Sequence, residues 1–600
     1  MTRLAKIGIS NLFEAILFTP KSYTNTTILH SLDKDSINEG VLKIKILHKK
    51  QMGRILKYEA LIIDFDEMLE ITIFNAKPFH NKIFPIDKEI YILGRFEFNA
   101  IWRITQPKIA TNINKIVMNF PTIKMQNNNL NDIFREIINK DDLSKLGFTN
   151  EIIDSIYTIF HPESSQDYLK EFIKYKGLFG KYLNAVKFVE IFYHMKLLRS
   201  KKTIFNSLNK LDGNYVDFIK SLPFALTKGQ QNCIDTLHSK LNSLQATRCV
   251  VMGDVGCGKT IVILACVMMA YPRKSILLAP TTILARQLYN EAKKFLPSFV
   301  NVGIVIKDDK LPNCDFLIGT HSLLYKNLES FSLFMTDEQH RFGTNQRLRL
   351  EKMLEIDGKK PHNIQFSATP IPRTMAMIES NLVDFCNIYD LPFEKNIDTK
   401  IISKVDFPAL LNHIKNDILE KKQVAIIYPL VEKSDSIGYQ SIEEGLPFWQ
   451  KNFKNVYSTH GKDKQKEEII EEFRESGDIL IATTLFEVGI SLPRLSSIII
   501  VGAERLGFAT LHQLRGRVSR NGLKGYCFLY TNRADSARLK DFINTTNGFE
   551  IAELDLKYRN SGDLLRGIRQ SGYQFKYFDI VVDKEIVKDA QILLDKSLKE

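Results

Sequence analysis

Gly253, Gly258, Lys259 and Thr260 stand in the spacing G-x-x-x-x-G-K-T within the stretch GDVGCGKT. Glycines at such a turn let the successive backbone N–H groups around Asp254 and Gly256 point at phosphate oxygens. A lysine there neutralises the β and γ phosphates, and a threonine hydroxyl joins the shell of a Mg²⁺ ion. The strand-like RCVVM before it and the apolar IVILACVMMA after it supply the strand and the helix N-terminus that a bound triphosphate needs. An acidic pair, Asp337 and Glu338, closes the apolar run SLFMT. Asp337 is placed to hold the metal and Glu338 to polarise an attacking water, although such a pair alone also fits a solvated turn. Upstream, FALTKGQ offers Phe224 to pack on adenine and the Gln230 amide to read its edge, or simply a helix capped at Thr227. In LHQLRGRVSR, Gln513, Arg515, Arg517 and Arg520 are spaced to reach a nucleotide held by another lobe, with a basic surface helix as the plainer reading.

These groups need scaffolds to hold them. Apolar runs such as CVVMGDV, SILLAPT, DFLIGTH and HNIQFSAT, and later QVAIIYPL, DILIATT, LSSIIIVGA and CFLYT, alternate with helical stretches. That alternation predicts two α/β lobes with parallel sheets, divided near residue 395 within YDLPFEKNIDTK. From about residue 40 to 120, short alternating strands predict a small antiparallel barrel of about five strands, of a kind able to bind oligonucleotides. From about 130 to 205 the periodicity turns helical. A chain of 600 residues requires several cores, and 44% hydrophobic with 25% charged residues is a globular composition. The net charge of +13 suits a phosphate polyanion, though basic proteins need not bind one.

The seven cysteines include no C-x-x-C pair, which argues against a disulfide framework or zinc site and for a reducing compartment. The N-terminal stretch lacks a secretory h-region, and IVILACVMMA is too short to cross a bilayer. The expectation is a cytoplasmic protein without a membrane partner.

Taken in order, FALTKGQ, GDVGCGKT, APTTILARQ, GTHSLL, DEQHRFG, FSATPIPRTMAM, ATTLFEVGISLP and LHQLRGRVSR resemble the motif series of superfamily 2 helicases. The wording of DEQHRFG, SATPIPRT and ERLGFATLHQLRGR is similar to the RecG family and to its relative, the transcription-repair coupling factor. The N-terminal IGISNLFEAILFTPKSY, with ITIFNA and YILGRFEFNAIWRITQPKI, resembles the RecG wedge domain and the segment before it, which favours RecG. LDLKYRNSGDLLRGIRQSGYQF is similar to the translocation motif that both relatives share.

The resemblance implies a multidomain α/β fold: two RecA-like parallel α/β motor lobes preceded by an OB-fold-like wedge barrel and a helical linker. The expected divisions are 1–145 for the wedge, 146–205 for the linker, 206–395 for the ATP-binding lobe, 396–540 for the second lobe and 541–600 for the translocation region. It implies a monomeric ATP-dependent 3'-to-5' motor, using ATP and Mg²⁺, on forks, Holliday junctions and R-loops, in a bacterial, nucleoid-associated setting. A single-stranded-DNA-binding protein is an expected partner.

By motif, Ser367, Ala368 and Thr369, with Gln339 and His340, would couple hydrolysis to movement. Arg559, Arg566, Arg569 and Gln570 fall in the translocation motif, where NS replaces the usual Gly-Pro and the spacing is one residue longer. Cys257, Thr336 and Ser519 are milder departures. In the wedge, Phe98 or Trp102 would stack on a base if placed on a loop, while strand parity with Ile90 and Ile92 makes Phe98 core. Rival readings are another superfamily 2 motor, such as an RNA helicase, and a junction-binding protein without hydrolysis.

Overall fold

The computed structural model describes residues 5, 8–110, 113–121, 127–307, 309–328, 331–432, 438–461, 463–483, 492–519, 524–533, 535–566 and 575–597. The chain forms two compact units. The first comprises Met1–His194, Gln574–Asp579 and Glu585–Glu600; the second comprises Met195–Tyr573 and Ile580–Lys584.

The first unit carries the barrel. Its strands are β1 (Asn38–Met52), β2 (Ile55–Ile62), β3 (Glu67–Ile73), β4 (Glu89–Asn99) and β5 (Ile101–Thr105). They pair in the order β1-β2-β3-β5-β4, and β1 pairs again with β4 to close the ring. The closure corrects one expectation: β3 and β5 run parallel, so the barrel is not wholly antiparallel. The order is that of an OB-type barrel and not of an up-and-down meander. The stretch IWRITQPKI is also not one strand. Gln106 takes a positive φ of 53° ahead of Pro107, and only Lys108–Ile109 rejoin β4. Alternate residues fill the interior, among them Leu42, Ile44, Tyr58, Ile71, Ile92, Phe96 and Trp102. A register shift between Ile46 and His48 marks the point beyond which β1 is exposed. Helix α1 (Gly180–Ser200) follows further along the chain, and the first unit's boundary falls within it, after His194.

The second unit holds two parallel sheets. In the first lobe these are β6 (Arg248–Gly253), β7 (Lys274–Leu278), β8 (Val302–Val305), β9 (Phe316–Gly319), β10 (Phe331–Thr336), β11 (His362–Ser367) and β12 (Asp384–Ile388), with helices α2 (Lys228–Leu241) and α3 (Lys259–Ala270). The order β8-β9-β7-β10-β11-β6-β12 puts β6 between β11 and β12, with β10 next beyond β11. The carboxyl ends of β6, β10 and β11 therefore bring the phosphate-loop, acidic and SAT segments to one edge, where α/β sheets bind ligands. Helix α3 is apolar on every face because every residue from Ile261 to Ala270 is buried.

The second lobe contains β13 (Ile397–Ile402), β14 (Gln423–Ile427), β15 (Val456–Thr459), β16 (Ile479–Ala482), β17 (Leu495–Val501) and β18 (Gly525–Tyr530), in the order β13-β18-β17-β14-β16-β15. Helix α4 (Phe508–Arg515) buries Phe508, Leu511 and Leu514 in its core, and α5 (Ala537–Asn544) and α6 (Gly548–Arg566) follow.

Candidate active site and nucleic-acid interface

The loop 253–258 turns from β6 into α3 through two left-handed glycines, Gly256 at φ 83° and Gly258 at φ 79°. Either would be strained with a side chain. At Gly258 there is also no room for one, because an added Cβ would collide with the Gln230 amide. Lys259 opens α3, and its Nζ donates to the carbonyls of Gly253 (2.8 Å) and Asp254 (3.1 Å). Burial opposes its charge, but Cys257, Glu338, Asp337 and Asp254 outweigh that and hold the ammonium above the ordinary lysine range. Thr260 follows it on the first turn and is half-buried. Cys257 is buried, with Sγ 3.8 Å from Lys259 Nζ.

Asp337 sits just beyond β10, its N–H donating to the Leu278 carbonyl at 2.9 Å. Burial first, and Glu338 second, push its carboxyl up to about 7. Glu338 adopts φ 49°, and its Oε2 accepts the Ala368 N–H at 3.3 Å. The SAT segment thus touches the residue read as the water-polarising group. Ser367 Oγ is bonded to Thr369 through its hydroxyl (2.9 Å) and its N–H (3.2 Å), which fixes that turn. Gln339 and His340 continue in a short 3-10 turn.

Hard oxygen donors fit Mg²⁺, which commonly takes one or two carboxylates and leaves the rest of its shell to water and phosphate. Thr336 Oγ1 is buried and has no hydrogen-bond partner among the described residues, so polar capacity remains beside Asp337.

Gln230 takes the capping role that the sequence offered at Thr227. Its Oε1 accepts the Thr227 N–H and its backbone N–H meets Thr227 Oγ1, closing a capping box. Its Nε2 donates to the Cys257 carbonyl at 2.8 Å, so the amide also props the phosphate loop. Phe224 is 45% exposed, edge-on to Phe295 at 5.9 Å.

Across the cleft, α4 presses on the same loop: a Cβ on Gly516 would lie 3.0 Å from Val255. Gln513 and Arg517 are buried at the end of α4, and Arg520 lies outside the described residues. Ser519 takes φ 61°, a left-handed conformation that glycine adopts without strain. Arg515 corrects an expectation. It is turned from the nucleotide side to the end of α5, donating to the carbonyls of Phe542 (3.1 Å) and Thr545 (2.7 Å). A cavity of about 590 Å³ opens beside Asp254, lined in part by Tyr389, Phe393, Lys395 and Phe549.

In the barrel, Trp102 is fully buried and its indole N–H donates to Glu67, so its ring is core rather than a platform for a base. Phe98 is half-buried, edge-on to Trp102 at 5.2 Å, with Lys34 Nζ 4.7 Å from its centroid. Sequence reasoning passed over a more exposed aromatic. The loop between β3 and β4 presents Phe79, 50% exposed and 4.1 Å from the His80 ring. The Ala76 N–H of that loop donates to the Arg54 carbonyl (2.8 Å), at the tip of a hairpin whose Lys49, Lys50 and Arg54 are exposed. Lys77 and Lys82 are exposed beside Phe79. The signal was an aromatic between lysines in a stretch without strand alternation.

Glu190 on α1 was also missed. Its carboxylate accepts the backbone N–H groups of Lys576, Tyr577 and Phe578. Arg559 and Arg566 are borne on α6, and Arg569 and Gln570 lie outside the described residues.

Comparison with known proteins agrees with this arrangement. A DEAD/DEAH box helicase model matches residues 227–378 and a helicase conserved C-terminal domain model matches 407–522. The chain is 44% identical over 605 aligned positions to the ATP-dependent DNA helicase RecG of Helicobacter pylori strain J99, covering 98% of this chain and 96% of that one. It belongs to the RecG family. The RecG of Aquifex aeolicus is 31% identical over 641 positions, covering 96% of this chain and 79% of that one. A solved structure of RecG bound to a three-way DNA junction has a TM-score of 0.55 at 24% identity, over 98% of this chain and 83% of that one, and shares its fold. RecG family membership makes this chain an ATP-dependent DNA helicase, with two RecA-like lobes and a closed barrel. Among the described residues no helix is long and apolar enough to cross a membrane.

Proposed function

We propose that this chain is a 3'-to-5' translocase that remodels branched duplex DNA: stalled forks, Holliday junctions and R-loops. The observation that carries the reading is a pairing within one chain. A hydrolytic set lies at a lobe cleft, and an OB-type barrel bears an exposed aromatic on a lysine-rich rim. The functional divisions are a wedge over 1–145, a linker over 146–205, an ATP-binding lobe over 206–395, a second lobe over 396–540 and a translocation region from 541 to 600.

Lys259 leaves its loop carbonyls to engage the β and γ phosphates, while the loop N–H groups hold the remaining oxygens. Thr260 and Asp337 would hold Mg²⁺, which supplies charge neutralisation on the phosphates when bound. Glu338 accepts the proton of the attacking water. Its contact with Ala368 N–H makes the SAT turn respond to that event. Gln513, Arg517 and Arg520 add donors from the second lobe, so hydrolysis requires closure. The Gln230 carboxamide keeps one N–H and one lone pair for an adenine edge, with Phe224 beside it. Arg559, Arg566, Arg569 and Gln570 engage the duplex. On the barrel, Phe79 stacks on the first unpaired base while Lys49, Lys50, Arg54, Lys77 and Lys82 hold phosphates. The working unit is a monomer in the bacterial cytoplasm, near the nucleoid, and a single-stranded-DNA-binding protein on the exposed strand is its partner.

The test is strand separation on labelled forks, Holliday junctions, R-loops and a tailed RNA duplex, with strand-specific methylphosphonate blocks to read polarity. Wild type should act on the branched DNA, stop at blocks on the 3'-to-5' tracking strand and lose activity in Lys259→Ala. Preference for the RNA duplex, or tight junction binding with no ATP-dependent product, would refute the reading.

A further inference from the structure

The acidic side chain of the phosphate loop faces the second lobe. Asp254 is 5% exposed; its Oδ1 lies 2.6 Å from His512 Nε2 on α4, and its Oδ2 lies 3.4 Å from Lys395 Nζ in the connector between the lobes. On the other side of the imidazole, Arg515 Nη2 is 3.0 Å from His512 Nδ1. The same guanidinium grips the Phe542 and Thr545 carbonyls and lies 4.1 Å over the Phe542 ring. Those carbonyls close α5, directly ahead of α6. Gly548, the first residue of α6, is packed against the pair. A Cβ there would stand 2.9 Å from the Asp254 carboxylate and 3.1 Å from His512 Nε2.

Each member is held on both sides. At the loop end, the Asp254 carbonyl accepts from Lys259, the residue that must shift onto phosphate. At the other end, Arg515 fixes the start of the segment leading into α6. Burial, with Arg515 and Lys395 nearby, keeps His512 below the ordinary histidine range against the pull of Asp254. Burial opposes ionisation of Asp254, but His512, then Lys395 and the Val255 N–H, hold its carboxyl well below the usual range. A neutral imidazole that accepts from Arg515 at Nδ1 carries its proton on Nε2, aimed at Asp254. Such a buried, doubly anchored chain transmits displacement, where a solvated pair would let it dissipate.

We propose that Asp254, His512 and Arg515 form a cross-lobe relay through which the nucleotide at the phosphate loop sets the position of α6. His512 and Arg515 are then positioning residues for coupling hydrolysis to DNA movement. The proposal rests on the reading of α6 as part of the duplex-engaging region.

The test compares full-length wild type, His512→Ala, His512→Gln and Gly548→Ala. It measures ATP hydrolysis with and without a model fork, fork affinity by fluorescence anisotropy, and thermal midpoint. The relay predicts that the fork-stimulated to unstimulated ratio falls about tenfold in His512→Ala, ~1.4 kcal/mol of coupling, with fork affinity near wild type while the midpoint falls with the lost buried contacts. Gly548→Ala should fall similarly, since it parts the pair by volume alone while leaving every polar group in place. Glutamine, which keeps a donor toward Asp254, should recover part of the ratio. A stimulated wild type with variants equal to it, or a lost ratio matched by an equal loss of fork affinity, would overturn the relay. A wild-type rate indifferent to the fork would overturn the underlying reading of α6.

Discussion

Glu190→Gln tests how the segment after the translocation motif is held. Glu190 is 5% exposed; Oε1 accepts the Lys576 N–H at 2.6 Å, and Oε2 accepts those of Tyr577 and Phe578 at 2.8 Å each. Tyr577 OH also meets Thr19 Oγ1 at 2.6 Å, and the Phe575 ring packs edge-on to His194 at 5.1 Å. A glutamine oxygen can still serve Tyr577 and Phe578, but its NH₂ would then oppose the Lys576 N–H, donor against donor. One charge-assisted bond worth ~1.5–3 kcal/mol is lost, and the other two fall to neutral strength, giving a local cost of about 3–5 kcal/mol. At ~1.4 kcal/mol per decade, amide exchange at 576–578 should accelerate by roughly a hundredfold to a few thousandfold. Hydrogen exchange read by mass spectrometry or NMR measures this directly. Fork remodelling should fall with it, while ATP hydrolysis without DNA stays near wild type. Exchange at 576–578 unchanged within about threefold would refute the assignment of Glu190 as the anchor.

The other predictions follow from single contacts. Phe79→Ala should weaken fork binding by ~1–3 kcal/mol at constant thermal midpoint. Trp102→Phe should instead lower the midpoint, through lost packing and the Glu67 hydrogen bond, and leave fork affinity alone. The opposite pattern in anisotropy and melting would return base stacking to Trp102. Gln230→Ala removes the side-chain half of the capping box on α2 and the prop under the Cys257 carbonyl, so the KM for ATP should rise roughly tenfold for a lost buried bond of ~1–2 kcal/mol. An unchanged KM would contradict that role.

His161, His362 and His512 are all held below the ordinary histidine range, each chiefly by burial. As pH falls below about 6.5 the unfolded chain binds protons that these buried rings resist. Stability should therefore be intact above that pH and decline below it, by at most ~1.4 kcal/mol per pH unit for each group until its folded pKa is reached. Melting across pH 5–8 checks this, and a midpoint that does not fall from pH 7 to 5.5 would contradict it.

Motor chemistry was legible in the sequence because it is local. Glycine and lysine spacing fixes the loop backbone, and apolar runs fix the parallel strands that end beside it. What escaped was set by distant pairing. His512 and Asp254 are 258 positions apart, and no spacing rule joins them. Arg515 shares a motif with Arg517, yet it sits at the last turn of α4, where the α5 carbonyls capture it. The parallel β3–β5 pair and the β1–β4 pair together close the barrel, with Trp102 on its inner face. Strand parity with Ile90 and Ile92 put Phe98 toward the core, where it packs half-buried on Trp102, but it was silent about Phe79, which lies in a loop.

The most direct test of the central claim is the ATP hydrolysis rate of wild type and Lys259→Ala with no nucleic acid, single-stranded DNA, linear duplex, single-stranded RNA and a model fork or Holliday junction. The account predicts strongest stimulation by the branched DNA and its loss in Lys259→Ala. Stimulation greatest with RNA, or no stimulation on a junction that binds tightly, would contradict it.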